Sequence, residues 1–141
     1  MESRSSATLA ITLVLAGAIT VGGCAGGSSS SNVLAPKFQP QVVNSIDDFQ
    51  FQVTGVRGAT QTLNYSWRNT GTQANVNQAC SISGGSATLV LRDSTGAQIY
   101  SRSLVDNGTF VSLAGAPSAC SMLVVLSNVS GTINFRAQKK T

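Results

Sequence analysis

A period-two alternation of apolar and polar residues is the feature that most restricts this chain. Phe49, Phe51 and Val53 alternate with Gln50, Gln52 and Thr54, and Leu63, Tyr65 and Trp67 alternate with Asn64, Ser66 and Arg68. Successive side chains of a strand point to opposite faces, so both stretches predict half-buried β-strands. A shorter candidate covers Ala74–Ala79. Ala87–Asp93 and Ala97–Leu104 flank Ser94-Thr95-Gly96, a hairpin signal in which Asp93 opens the turn and Gly96 takes a positive φ. Asp106-Asn107-Gly108 turns the chain again before Thr109–Leu113. Ser121–Leu126 is the most apolar stretch and is expected to be central. Ser130-Gly131 precedes a closing strand over Thr132–Ala137. No helical stripe occurs in this region. These stretches predict an all-β domain over residues 46–141, an antiparallel β-sandwich or small barrel of about seven or eight strands.

The N-terminus is of a different kind. Leu9–Val21 (LAITLVLAGAITV) is an uncharged, mostly apolar run that follows a short polar segment containing Arg4. A membrane-spanning helix needs about 20 apolar residues. This run is shorter and fits the roughly 7–15-residue apolar core of a secretory signal. Val21-Gly22-Gly23-Cys24 follows directly. A branched apolar residue, two small residues and a Cys resemble the lipobox of bacterial lipoproteins. That resemblance implies a signal peptide over residues 1–23, with Val21, Gly22 and Gly23 read by the signal peptidase. It implies that Cys24 carries the lipid and becomes the first residue of the mature chain. Several acyl chains anchor firmly, since each buried methylene contributes about 0.8 kcal/mol and one chain alone holds poorly. In that family Asp after the Cys signals inner-membrane retention, so Ala25 leans toward the outer membrane.

Residues 24–45 read as the lipidated Cys and a tether. Ala25–Asn32 is AGGSSSSN, with nothing to bury, and Pro36 and Pro40 interrupt the stretch that follows. The alternative is that Phe38 or Val42-Val43 docks on the domain as an edge strand.

With Cys24 assigned to lipid, Cys80 and Cys120 remain. An exported chain permits a disulfide between them. On the chain-entropy model a loop of that length contributes roughly 4 kcal/mol. Two thiols without His do not complete a zinc site.

Composition removes much chemistry. The chain has no His, which takes away the commonest general base and metal ligand. Only 10% of residues are charged, and the formal net charge is +4. Beyond the signal the acids are Asp47, Asp48, Asp93 and Asp106. Asp93 and Asp106 lie in turn signals, where such side chains cap backbone amides. Asp47 and Asp48 with a further loop Asp would suit calcium, but no spacing fixes such a site, and no metal or other cofactor is expected. No GxxxxGK[ST] or GxGxxG occurs, and the basic residues are scattered rather than clustered, so nucleotide and nucleic-acid binding lack support.

The aromatics leave one opening. Exposed Trp and Tyr rings are how sandwich modules stack on sugars, so Tyr65, Trp67 and Tyr100 are the candidate ligand contacts. Tyr65 and Trp67 share a strand face with Leu63, which argues for core instead. The outline is also generically similar to small envelope β-sandwiches such as pre-peptidase C-terminal and CUB-like modules, from which no functional residue carries over. The expected function is a lipid-anchored, non-catalytic protein of the bacterial envelope, with a binding or structural role toward an envelope protein or glycan. The alternative is a carbohydrate-binding module for cell-wall or surface glycans.

Overall fold

A computed structural model describes residues 33–35 and 37–141. The apolar run, the lipobox with Cys24 and the Gly/Ser segment lie outside the described residues. The fold is all-β and antiparallel, with seven strands: β1 (Gln41–Ser45), β2 (Asp48–Asn69), β3 (Ala74–Gln78), β4 (Ser81–Arg92), β5 (Gln98–Ser103), β6 (Gly108–Val111) and β7 (Ser118–Lys139). No helix is present among the described residues.

β2 and β7, each 22 residues long, pair along nearly their whole length and form the spine. The sequence divides each of them into two strands, Phe49–Val53 with Leu63–Trp67 and Ser121–Leu126 with Thr132–Ala137. The structure joins each pair into one bent strand. The glycines between them do not turn the chain back; they let it bulge and bend. The β2–β7 register slips between Val53 and Val56, between Val56 and Ala59, and between Ala59 and Gln61. The β4–β7 register slips at the same level, on both sides of Gly84. Gly55, Gly58, Gly85 and Gly131 all have positive φ here.

This shared corner makes two layers from one sheet. The first layer holds β1, the first half of β2, the last part of β7, β3 and β6. The second holds the rest of β2 and β7 with the main part of β4, and β5. The layers face each other across the core. Phe49 and Phe51 from the first layer meet Tyr65 from the second at ring centroids of 5.3 and 6.1 Å. Phe135 stacks on Phe51 at 5.2 Å. The indole N–H of Trp67 donates to the Ser45 carbonyl at 3.1 Å, closing the end opposite the corner. The apolar half of each alternation therefore does what its period demands and lines the inside.

The ordered domain begins earlier than Ile46. Residues 41–45, grouped with the tether on sequence, form edge strand β1, the alternative offered for Val42-Val43: Val42 pairs with Phe51 and Val43 with Gln50. Leu34 is also buried, at 1% exposure, and its backbone N–H donates to Gln61 Oε1 at 3.0 Å. No period announced either contact, because β1 is exposed along its whole length and Leu34 acts alone as an apolar plug.

The predicted Asp93–Gly96 turn is present. Gly96 N–H donates to the Asp93 carbonyl at 2.9 Å, and Gly96 has φ +92°.

Candidate functional site

The three aromatic candidates do not form a platform. Trp67 is 0% exposed and Tyr100 7% exposed. The Tyr100 hydroxyl donates to Gln78 Oε1 at 2.6 Å, which ties β5 to β3, and burial pushes its pKa up to about 12. Tyr65 is half-buried against Phe49 and Phe51. Tyr65 and Trp67 point inward because they fall on the apolar phase of β2, and Tyr100 is buried where strand pairing sets it opposite Leu91 of β4. No exposed row of rings is available from them for a sugar.

The expected disulfide between Cys80 and Cys120 is not formed; both are free, buried thiols. Cys120 sits on β7 opposite Trp67, in the second layer. Cys80 lies in the β3–β4 link, where its Sγ is 3.3 Å from both the backbone N and the backbone O of Asn134, on the first-layer part of β7. The two are thus held in different layers and at different levels of the sandwich, whereas a disulfide needs Cα atoms within about 7 Å. The loop between them spans two layers, which cysteine counting does not reveal. Burial raises the pKa of both thiols, so neither is an activated nucleophile.

The acids hold the backbone. Asp93 is buried, and its Oδ1 accepts from Thr95 N–H at 2.9 Å, the Thr95 hydroxyl at 2.6 Å and Ala97 N–H at 3.0 Å. Its Oδ2 accepts from Ala116 N–H at 2.9 Å, which fixes the long link before β7 to the β4–β5 turn. These bonds, the Thr95 hydroxyl foremost, favour the ionised form and lower the pKa from 3.8 to about 2. Because the folded value lies below the unfolded one, Asp93 stabilises fully above about pH 4, and its contribution is lost as the pH falls from 3.8 toward 2. Asp93→Asn is therefore expected to lower the urea midpoint at pH 7, and the two proteins to converge near pH 2. A gap that stays constant across that range would sink this account.

Asp47 and Asp48 point apart. Asp47, at φ +66° in the β1–β2 turn, accepts from Thr70 N–H at 2.7 Å and the Thr70 hydroxyl at 2.8 Å. Asp48 instead takes a two-point contact from Arg136, with Nε and Nη2 each at 2.9 Å. Among the described residues no group of three His, Cys, Asp or Glu side chains is placed to hold a metal ion.

The most distinctive surface is the outside of the first layer, and sequence reasoning missed it. The polar phase of the strands collects there in register. One row across the sheet runs Val43, Gln50, Arg136, Asn77 and Thr109. The next runs Gln41, Gln52 and Asn134. A third runs Ser45, Asp48, Gln138, Asn75 and Val111. Asn77 Nδ2 donates to Thr109 Oγ1 at 2.8 Å and Gln50 Nε2 to Asp48 Oδ2 at 3.3 Å. The side-chain amides of Gln41, Gln52, Asn134 and Gln138 make no hydrogen bond to the other described residues. Gln41 and Gln52 form a ridge with a groove on either side. One groove, of about 290 Å³, is lined by Gln39, Gln41, Gln52, Val53 and Thr54. The other, of about 100 Å³, is lined by Gln41, Val43, Gln50, Phe51, Gln52 and Asn134. The signal for this face was present in the Q-x-Q of β2 and the N-x-N of β3. Only strand pairing brings them together with Asn134 and Gln41.

Comparison with known proteins adds little. No protein-family model matches the chain, and no curated protein matches it. Among solved structures it is similar to one titled "Structure of infectious bursal disease virus Gt strain", with 13% sequence identity and a TM-score of 0.31. That alignment covers 73% of this chain and 32% of the viral chain, so this chain spans about a third of its length. A likeness at that TM-score carries no functional argument.

Proposed function

We propose that this protein is a lipid-anchored, non-catalytic binding domain of the bacterial cell envelope, held through Cys24 in the outer membrane. The observation that carries the binding role is the outer face of the first layer, where hydrogen-bonding side chains stand in rows and the amides of Gln41, Gln52, Asn134 and Gln138 make no hydrogen bond to the other described residues. The titratable side chains described above serve the fold. Asp47 and Asp93 brace turns, and both thiols are buried. The anchoring role rests on the apolar run and the VGGC segment. Ala25–Asn32, between Cys24 and the domain, has the Gly/Ser composition of a tether.

The test is the intact mass of the protein extracted from membranes, with thiol alkylation before and after denaturation and no reductant. The expected mass is that of a chain starting at Cys24 with added acyl groups. Two further thiols, Cys80 and Cys120, are expected to react only once the protein is unfolded. A chain without acyl mass, or one retaining residues 1–23, overturns the anchor. Thiols that stay closed to alkylation until a reductant is added would show a disulfide and contradict the free, buried pair.

A further inference from the structure

From the geometry of the first layer's outer face we infer that the Gln41–Gln52–Asn134 ridge, with its two flanking grooves, binds a linear neutral polysaccharide laid across β1, β2 and β7. The inference rests on the binding role proposed above and names its ligand class.

Three features select that class. The first is charge. The charged side chains paired into these rows are Asp48 and Arg136, which neutralise each other through two 2.9 Å bonds. An anion would have to compete with Asp48 for the guanidinium, and a cation with Arg136 for the carboxylate. A neutral ligand disturbs neither.

The second feature is the donor set. Each Gln or Asn amide offers two N–H donors and a two-lone-pair acceptor in one plane. A sugar hydroxyl likewise donates and accepts, so neighbouring hydroxyls on a ring match a planar amide in either sense. Gln41, Gln52 and Asn134 stand side by side on adjacent strands about 4.8 Å apart. Their ridge is therefore a regular series of such amides, with aliphatic Val43 on the wall of one groove to meet C–H surface.

The third feature is shape. Two grooves side by side, one between β1 and β2 and the other reaching from β1 to Asn134 of β7, fit an extended chain better than a compact molecule. A protein partner is the weaker fit, because the centres of such interfaces are rich in aromatic, Met and Arg side chains. This ridge presents amides instead.

The experiment measures depletion of the full-length chain, in detergent, by three insoluble neutral polysaccharides: cellulose, chitin and curdlan. Adsorption to at least one is expected, and 1 M NaCl is expected to leave it unchanged, since screening weakens charge attraction and not neutral hydrogen bonds. The double variant Gln52→Ala/Asn134→Ala is expected to bind at least about tenfold more weakly, as the loss of two uncharged hydrogen-bonding groups requires. Its thermal unfolding by circular dichroism should match the parent, since neither amide is bonded within the domain. Thr62→Ala/Thr88→Ala, on the outer face of the second layer, is expected to bind as the parent does.

No adsorption to any of the three glycans overturns the inference. So does adsorption abolished by salt, which would reflect the net charge of +4 alone. Adsorption indifferent to the double variant places the ligand elsewhere. Gel filtration showing that the face joins two copies of the chain would replace the glycan with a protein partner. Failure here is distinct from failure of the anchor: a lipidated chain that ignores all three glycans loses only this site, and an unlipidated chain that adsorbs loses only the membrane.

Discussion

Gly131→Ala is expected to destabilise the domain by about 4 kcal/mol, read as a shift of the urea midpoint followed by far-UV circular dichroism. Two costs combine. Gly131 has φ +128°, a region that L side chains rarely adopt, and holding one there costs on the order of 1–3 kcal/mol. A Cβ at this position would also lie 2.1 Å from the Ser81 carbonyl oxygen and 2.9 Å from the Ile82 Cα. Those atoms are backbone of the paired strand β4, so neither can swing aside, and overpacking adds roughly 1–3 kcal/mol. Gly85 is the matching position on β4, with φ +73° and a Cβ that would sit 2.0 Å from the Asn128 carbonyl oxygen. Gly85→Ala should behave alike. Gly96→Ala is the control: Gly96 has φ +92° in the β4–β5 turn, but nothing stands within 4 Å of its Cβ direction. That variant should lose only the backbone term, about 1–2 kcal/mol. Equal losses at Gly96 and Gly131 would refute the close approach of β4 and β7 at the corner. A loss of this size is a large part of the roughly 5–15 kcal/mol that holds a small domain together.

Trp67→Ala is expected to cost about 3–5 kcal/mol, the usual range for removing a fully buried Trp. Trp67 is 0% exposed, and its indole N–H bonds to Ser45 across the two layers. Its loss leaves a cavity at the end of the core and strips the Ser45 carbonyl of its donor. Trp67→Phe separates the two effects. It keeps most of the apolar volume and removes the N–H, so it should cost less than the alanine variant. Circular dichroism is again the readout, because Trp67 is the only Trp of the chain and both variants abolish its fluorescence. If Trp67→Ala lost less than about 1 kcal/mol, the ring would have to be solvent-facing, and a stacking role for it would return.

These two residues show how differently sequence and structure speak. The inward phase of Phe49, Phe51, Val53 and Trp67 is legible in the alternation alone, and all four are buried. The Asp93–Gly96 hairpin is legible too, because its residues carry the turn chemistry locally. Ser130-Gly131 reads as the break before a closing strand, yet Gly131 stands inside β7, as Gly85 stands inside β4. A turn and a bulge use the same residue types, so composition does not separate them. What separates them is whether the chain continues along the same partner, and β7 does continue along β2 past Gly131. The candidate face suffered the same fate. Gln50 and Gln52 are plain in the sequence, but their neighbours Gln41, Asn134 and Arg136 are distant along the chain, and only the register of β1, β2 and β7 sets them side by side.

The cysteines mark the other limit. An even pair in an exported chain argues for a disulfide on redox grounds, while the bond depends on a distance that spacing does not encode. Cys80 and Cys120 are buried on different layers and remain thiols. The all-β class, the inward phase of Phe49, Phe51 and Trp67 and the hairpin turn are legible along the chain, because each follows from a period or a conformational preference of a few adjacent residues. Tertiary structure alone decided the corner, the state of the thiols, the docking of Leu34 and β1, and the amide face. Each of those depends on which distant strands meet, and at what register.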